Sequence, residues 1–227
     1  PSVGPYKLTA WEHDSKIVME RNENYYGEKP SIRKVTLLII TEDATAVSLY
    51  ESGKLDFFRK IPGQDTERFR KQGKVHDVPY LRGYYYAFNV DKKPFDDVKV
   101  RKAFALAVNR SVFPKILKGG EVPTSSWIPK GMFSYNADLG LKFDVEKAKA
   151  LLAEAGYPKG MGFPRIDMAY DSRDYNKPVA EALQAMWKSS LGVQIDVVSM
   201  EWKVYLSKMR QDANQIYRLG WGADFPD

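Results

Sequence analysis

Apolar and polar residues alternate along several short stretches of the chain, a pattern that is typical of half-buried β-strands. The first two stretches, residues 6–10 and 16–21, flank a polar turn and predict a β-hairpin. The run at 35–40 is almost entirely apolar, which predicts a buried strand. Further strands are predicted where short apolar runs are bounded by turn residues: 55–58, 75–78, 84–90, 166–170, 193–198 and 215–219.

Other stretches repeat apolar residues at the three- and four-residue spacing of amphipathic helices. Polar residues suited to an N-cap precede several of them, and Gly53 and Gly156 stand where a helix end favours glycine. Strand and helix alternate in both halves of the chain, so we predict an α/β layer arrangement. The predicted helices cover residues 44–52, 66–71, 98–109, 111–117, 144–155, 174–190 and 201–210.

Residues 119–141 form a long irregular stretch that is rich in Pro, Gly and Ser. A loop of this length inside a compact domain is usually a functional wall or lid. The 227 residues allow one domain or two, and a composition of 44% hydrophobic and 28% charged residues is that of a folded protein. No apolar run approaches the roughly 18 residues that are needed to cross a bilayer.

The net charge of +6 comes from basic residues that are dispersed along the chain, and the aromatic residues stand in apolar patterns rather than between Lys and Arg. We therefore expect no nucleic-acid partner. The absence of cysteine excludes disulfides, thiol chemistry and cysteine zinc sites. With His13 and His76 as the only histidines, neither a histidine triad nor a histidine metal site is expected.

Carboxylates occur in pairs at Asp96 and Asp97 and at Asp171 and Asp174. Both pairs precede predicted helices, where a side-chain oxygen accepts hydrogen bonds from free backbone N–H groups. We interpret them as helix caps, and a hydrolase that uses paired carboxylates remains a remote alternative. Because no glycine-rich phosphate loop is present either, the sequence predicts a protein that is not an enzyme and binds neither cofactor nor metal.

The last ten residues hold the strongest candidate for ligand chemistry. An apolar strand containing Arg218 runs into Gly220, Trp221 and Gly222 and then delivers a carboxylate, Asp224. We expect the glycines to allow backbone turns, and the Phe-Pro step that follows to restrict the backbone after the acid. A carboxylate on a rigid strand exit beside an indole suits a small cation such as an amino terminus. The alternative is a strand-to-loop turn with a solvated acid.

Large aromatic residues also appear where they could line a cleft. Tyr84, Tyr85 and Tyr86 lie in one predicted strand, so the middle ring faces away from its neighbours. Core packing explains one face, and the other face is either a cleft wall or further packing. Trp202 begins a helix directly after a strand, where ligands commonly bind in α/β folds, although a core tryptophan is the alternative.

Eight segments, taken in order along the chain, carry a further signal. They are Gly-Pro-Tyr-Lys-Leu at 4–8, Met-Glu-Arg-Asn-Glu-Asn-Tyr-Tyr at 19–26, Tyr-Glu-Ser-Gly-Lys-Leu-Asp at 50–56, Tyr-Tyr-Tyr-Ala-Phe-Asn at 84–89, Lys-Pro-Phe-Asp-Asp-Val-Lys-Val-Arg-Lys-Ala at 93–103, Ala-Lys-Ala-Leu-Leu-Ala-Glu-Ala-Gly-Tyr at 148–157, Glu-Trp at 201–202 and Gly-Trp-Gly-Ala-Asp at 220–224. With them the chain resembles the family-5 extracellular solute-binding proteins, the oligopeptide, dipeptide and nickel receptors of ABC importers. The likeness covers the whole chain and is closest to the oligopeptide-binding proteins.

The resemblance implies a type II periplasmic-binding-protein fold, in which mixed sheets with flanking helices form two lobes that close on a ligand. It also implies that the chain is an internal fragment. Residues 1–88 are then the central part of the first lobe, and residues 89–227 most of the second lobe, truncated at its C-terminal side. The implied function is capture of short peptides between the lobes and delivery to membrane permease subunits. We accordingly expect a monomer, either periplasmic or anchored outside the cell as a lipoprotein.

The resemblance also assigns roles to residues near the end of the chain. Asp224 matches the acid that pairs with a peptide's amino terminus in oligopeptide receptors. Trp202 and Trp221 match tryptophans that line side-chain pockets, and Gly220 and Gly222 belong to the same ligand-binding segment.

Three further positions complete the implied site. Arg218 matches a basic residue associated with peptide carboxylates, and the strand at 84–86 matches a wall of the cleft near the hinge. Asn176 stands where close relatives place a histidine near the C-terminal end of the ligand. A dipeptide, opine or nickel-chelate receptor of the same family remains the alternative to an oligopeptide receptor.

Overall fold

A computed structural model describes residues 3–78 and 80–224 of the chain. Its internal contacts group the chain into two compact units, Pro1–Arg68 and Phe69–Asp227. The lobe assignment expected from the resemblance, with its boundary after residue 88, stays a prediction. Among the described residues, no helix is long and apolar enough to cross a membrane.

The first unit contains an antiparallel sheet in the order β1-β2-β3, which confirms the predicted hairpin. Two helices follow the sheet, and the second of them spans the boundary between the units. The elements are β1 (Tyr6–Glu12), β2 (Lys16–Arg21), β3 (Lys34–Leu38), α1 (Asp43–Glu51) and α2 (Gly63–Lys71).

Two strand predictions in this unit need correction. Residues 55–58 form no strand, because the N–H groups of Lys54 and Leu55 bond back to Leu49 at the end of α1. The predicted buried strand at 35–40 is β3, and it is largely exposed because it is an edge strand of the sheet. One face of the sheet is wholly apolar along two paired rows: Leu8, Met19 and Val35, and Trp11, Ile17 and Leu37.

The second unit is a mixed four-stranded sheet with helices, in the strand order β4-β7-β5-β6. β4 is antiparallel to β7, whereas β5 is parallel to both β6 and β7. The fold is therefore mixed α/β, as the sequence predicts. Its elements are β4 (Arg82–Phe88), α3 (Val98–Leu106), α4 (Phe113–Leu117), α5 (Val145–Glu154), β5 (Ile166–Asp171), α6 (Asn176–Leu191), β6 (Ile195–Met200), α7 (Trp202–Asp212) and β7 (Ile216–Gly222).

Capping residues explain where several of these helices begin and end. Asp97 accepts a hydrogen bond from Lys99 N at the start of α3, and Asp144 accepts one from Lys147 N at the start of α5. Gly156 follows α5 with a φ of +94°, a left-handed conformation that a side chain disfavours. α3 ends earlier than predicted, since the Asn109 side chain caps a short 3₁₀ turn instead.

The loop at 119–141 contains no helix or strand, as predicted. The strand predicted at 75–78 is absent from the structure. Both guanidinium Nη atoms of Arg70 in α2 hold the carboxylate of Asp77, at 2.6 and 3.3 Å, and so fix this stretch against α2 rather than along a sheet edge.

The core of the second unit forms around Phe104 of α3. Its ring lies 5.0 Å from that of Phe95, 5.5 Å from that of Phe163 and 5.1 Å from that of Trp187, measured between centroids. The indole N–H of Trp187 donates to the carbonyl oxygen of Phe104 at 2.9 Å, so the buried polar atom of this ring is paired. α3, α5 and α6 therefore pack against the sheet and fix the strands that carry the candidate site.

Candidate functional site

Three parallel strands bring some of the predicted site residues, together with Arg173, to one edge of the second sheet. The carboxyl ends of β5, β6 and β7 lie together because these strands run in the same direction. Arg173 follows the end of β5, Trp202 follows the end of β6, and Trp221 and Asp224 lie at the end of β7. Ligands of open α/β sheets bind outside such carboxyl ends.

β7 continues as a regular strand through Gly220 and Gly222, which pair with Tyr84 and Arg82. The prediction that these glycines allow turns is therefore wrong, and neither has a positive φ. Gly220 instead permits a close approach of two strands, because a Cβ there would lie 3.0 Å from the carbonyl oxygen of Gly83.

Asp224 is exposed just beyond β7. The backbone before it is fixed, since Ala223 N donates to Leu81 O at 2.8 Å. Trp221 in β7 is 66% exposed, so an exposed indole and an exposed carboxylate lie close together in the chain. The Phe-Pro step predicted to restrict the backbone after the acid lies outside the described residues.

Trp202 begins α7, whose first turn is capped by the side chain of Glu201. Trp202 is 37% exposed, and its ring stacks on that of Tyr205, with centroids 6.2 Å apart. The guanidinium of Arg173 lies 4.8 Å from the centre of the Trp202 ring, within range of a cation–π contact. The tryptophan thus packs against Tyr205 and Arg173 and is still partly accessible.

Arg218 and Asp171 form a buried ion pair at the centre of this edge. The Arg218 Nη1 atom lies 2.9 Å from Asp171 Oδ2, and the ring of Tyr84 covers the guanidinium at 4.3 Å. The prediction that Asp171 is a helix cap is wrong, because its charge is instead used by an arginine that the sequence places 47 residues later. The expected contact of Arg218 with a ligand carboxylate stays a prediction.

The three tyrosines of β4 occupy both faces of the strand, as predicted. The rings of Tyr84 and Tyr86 lie 6.0 Å apart on one side, whereas Tyr85 lies 4.6 Å from Trp127 on the other. Burial raises the pKa of Tyr84 and of Tyr86, so both phenols stay neutral at physiological pH.

Asn176, the first residue of α6, connects β4 to the end of β5. Its Oδ1 accepts a hydrogen bond from the Tyr84 hydroxyl at 2.9 Å, and its Nδ2 donates to the carbonyl oxygen of Asp171 at the same distance. The side chain is fully buried. In this structure Asn176 therefore supports Tyr84 and Asp171, and its expected position near a ligand stays a prediction.

Sequence reasoning missed Arg173, Tyr175 and Trp127 as parts of this region, and it misjudged Asp171. A signal for two of these four residues was present, because Asp171 directly follows the predicted strand at 166–170 and Arg173 lies two residues further on. Polar residues at the carboxyl end of such a strand are candidates for ligand contact. Trp127 carries no comparable signal, since it lies in the irregular loop.

The described residues contain no group of three or more His, Asp or Glu side chains that could hold a metal ion. The buried acid Asp171 instead pairs with Arg218, and Arg173 lies against its other oxygen. The arrangement offers charge, aromatic surface and hydrogen-bond donors to a ligand.

Comparison with known proteins connects this geometry to a family. The family model described as bacterial extracellular solute-binding proteins, family 5 Middle, matches residues 1–227. The oligopeptide-binding protein OppA of Bacillus subtilis (strain 168) is 32% identical over 239 residues, which include 100% of this chain and 44% of that protein. The chain thus spans less than half the length of this relative.

Solved structures of solute-binding proteins are also similar to this chain. A periplasmic oligopeptide-binding protein from Borrelia burgdorferi superposes with a TM-score of 0.82 at 31% identity, covering 99% of this chain and 46% of that one. NikA from Brucella suis, solved in complex with Fe(III)-EDTA, superposes with a TM-score of 0.85 at 25% identity. The match covers 98% of this chain and 48% of that one.

Proposed function

Because the chain belongs to family 5 of the bacterial extracellular solute-binding proteins, we propose that it forms part of an importer's receptor and that its ligands are short peptides. The observation that carries this proposal is the position of Asp224. It is an exposed carboxylate just beyond β7, at the edge where Trp202 and Trp221 also expose their rings. These groups suit the amino terminus and the side chains of a peptide.

The ammonium group of a peptide needs a partner when a closing receptor removes it from water. Asp224 makes no ion pair with any other described residue, so its charge is available for such a partner. A charge-assisted hydrogen bond between ammonium and carboxylate is stronger than a neutral one. Asp224 therefore anchors one end of the ligand.

The remainder of a peptide can be bound without regard to its sequence. Extended backbone N–H and C=O groups pair with strand-like segments of a receptor, as in other cases of peptide recognition. Exposed indoles such as Trp202 and Trp221 form roomy walls, and water fills the space that a small side chain leaves. This combination favours a receptor that accepts many short peptides.

In the whole protein, we place residues 1–88 in the first lobe and residues 89–227 in the second. Closure of the lobes on a peptide is then the signal that the permease subunits of the importer recognise. The receptor acts as a monomer in the periplasm, or outside the cell as an anchored lipoprotein.

The direct test is mass spectrometry of the small molecules that co-purify with the intact protein. We expect peptides of a few residues, released when the protein is denatured. A metal chelate is the second candidate, because of the likeness to NikA. Recovery of a chelate or an opine in place of peptides would contradict the peptide assignment and favour that alternative.

Incubation of peptides with the intact protein tests the alternative of a hydrolase. Asp171 is committed to the ion pair with Arg218, so it is not free to act with Asp174 as an acid–base pair. Peptides recovered intact after prolonged incubation with the protein support a receptor, whereas cleaved products support an enzyme.

A further inference from the structure

The parallel strands β5 and β7 separate before they reach their carboxyl ends. The last pair of their common ladder is Ala169 with Tyr217. Both strands nevertheless continue, because β5 stays paired with β6 as far as Asp171, and β7 stays paired with β4 as far as Gly222. A gap in the backbone pairing therefore opens at the edge of the sheet that carries the candidate site.

The side chain of Tyr205 bridges the two strands at this gap. Its hydroxyl donates a hydrogen bond to the carbonyl oxygen of Arg218, and the carbonyl oxygen of Ala169 lies 3.3 Å from the same hydroxyl. These carbonyl groups belong to β7 and β5, directly where the ladder ends. Buried carbonyl groups need a hydrogen-bond donor. The phenol therefore connects the strands where their backbones no longer pair.

Tyr205 also attaches α7 to the sheet. Among the residues of α7, all of which the structure describes, Tyr205 is the only one that is buried. Burial raises the pKa of its phenol, so the hydroxyl keeps its proton and stays a donor at physiological pH. The position of α7 on the sheet therefore depends on this side chain.

Trp202 and Asp224 are both connected to this tyrosine. The Trp202 ring stacks on the Tyr205 ring from three residues earlier in α7, a spacing that makes two side chains neighbours on a helix. The strand whose carbonyl group binds the Tyr205 hydroxyl is β7, and Asp224 lies just beyond its end. One buried side chain thus joins the helix that carries the indole to the strand that presents the exposed acid.

We propose that Tyr205 is a positioning residue that fixes Trp202 relative to Asp224, and so determines which side chain of a bound peptide meets Trp202. This inference rests on the proposed peptide receptor, in which Asp224 anchors the amino terminus. Each residue of an extended peptide advances by about 3.3 Å. An indole at a fixed distance from the anchor therefore meets one position of the peptide and not its neighbours.

Isothermal titration calorimetry on the intact protein, freed of bound ligand, tests the assignment. The parent probe is whichever alanine peptide of two to five residues binds most tightly, and each further probe carries one phenylalanine at a different position. We expect the unchanged protein to prefer one of these positional isomers. Trp202→Ala should lower the affinity for that isomer by about 2- to 10-fold relative to the parent, the usual effect of one aromatic pair.

Tyr205→Phe removes the hydroxyl and keeps the ring. It should lower the affinity for the preferred isomer by about 2- to 10-fold, the usual effect of one hydrogen bond, and leave that for the alanine parent unchanged. In a protein that also carries Trp202→Ala, it should have no further effect on the preference. Tyr205→4-aminophenylalanine, which keeps a donor at the same place, should restore the preference. All titrations are made below the melting temperature of each variant.

Tyr157→Phe is the matched control. Tyr157 packs its ring on Phe163, with centroids 5.0 Å apart, just before the amino end of β5. This variant should keep the full preference. A second measurement needs no ligand: in ¹⁹F NMR of the protein labelled with 5-fluorotryptophan, the resonance that is missing in Trp202→Phe is that of Trp202. It should shift in Tyr205→Phe and stay in place in Tyr157→Phe.

The outcomes separate this inference from the function on which it rests. If Tyr205→Phe weakens all peptides equally, or leaves the Trp202 resonance in place, the positioning role is overturned while peptide binding stands. The same holds if the unchanged protein binds every positional isomer equally well. If the unchanged protein binds none of the peptides, the proposed function and this inference fail together.

Discussion

The carboxylate of Asp171 and the guanidinium of Arg218 form an ion pair in which the side chains are 0% and 2% exposed. Their strands, β5 and β7, are parallel neighbours, although the residues lie far apart in the chain. A charge in such a position depends on its partner, because water does not reach it. The pair therefore links the stability of the sheet to the geometry of the candidate site.

The substitution Asp171→Asn should lower the free energy of unfolding by about 3–5 kcal/mol, because it leaves the Arg218 charge buried and unpaired. Urea denaturation of the intact protein, followed by circular dichroism, measures the loss. Asp196→Asn is the control, since Asp196 forms an exposed pair with Arg165, and such pairs contribute about 0–1 kcal/mol. Equal losses in the two variants would show that the Asp171 pair is solvated.

The substitution Asp224→Asn should weaken binding of a peptide by about 1–3 kcal/mol, since the ligand's ammonium loses a charged partner. Titration calorimetry of the intact protein with the peptides that co-purify with it measures the change. Asp212→Asn, at the last residue of α7 and so away from the ends of the parallel strands, should leave the affinity unchanged. Unchanged affinity in Asp224→Asn would refute the role of this residue.

The substitution Phe104→Ala should lower the free energy of unfolding by about 3–5 kcal/mol, because it opens a cavity among packed rings. Phe104 is fully buried, whereas Phe133 in the irregular loop is 94% exposed. Phe133→Ala is therefore the matched control and should have little effect. Thermal unfolding of both variants decides whether the aromatic cluster is the core of the second unit.

Asp212 should titrate with a pKa of about 2, below its ordinary value of 3.8, because hydrogen bonds from Lys208 and then Lys92 favour the charged carboxylate. The folded-state pKa is the lower one, so the stabilising contribution is present above the ordinary value and is lost as the pH falls towards 2. A carbon-detected NMR titration of the carboxyl group measures it. Lys208→Met should raise this pKa, and a midpoint near the ordinary value in the unchanged protein would contradict the contact.

Local signals in the sequence were sufficient for most elements of the fold. Asp97 and Asp144 mark helix starts by their capping oxygens, and Gly53 and Gly156 mark helix ends by their left-handed backbones. These effects act within a few residues, so the sequence records them directly. The hairpin of β1 and β2 follows from the same kind of signal, because a polar turn separates two alternating runs.

The errors lie where distant residues decide the structure. Asp171 has the local pattern of a helix cap, but a partner 47 residues away takes its charge. Gly220 stands in a glycine-rich segment that is typical of a turn, but pairing with β4 keeps it in a regular strand. The accessibility of Arg173 depends in the same way on how Trp202 and Asp171 surround it. Such contacts arise only when the sheet has formed.

Because β4 pairs with β7, which lies far along the chain, the ribosome synthesises β4 well before its partner strand. Phe88 pairs with Ile216, so about 130 residues must be synthesised after β4 before its neighbour exists. At about 5–20 residues per second, β4 waits for roughly 7 to 26 s with the edge of a tyrosine-rich strand unpaired. During that interval the backbone N–H and C=O groups of β4 are open to pairing with the wrong strand.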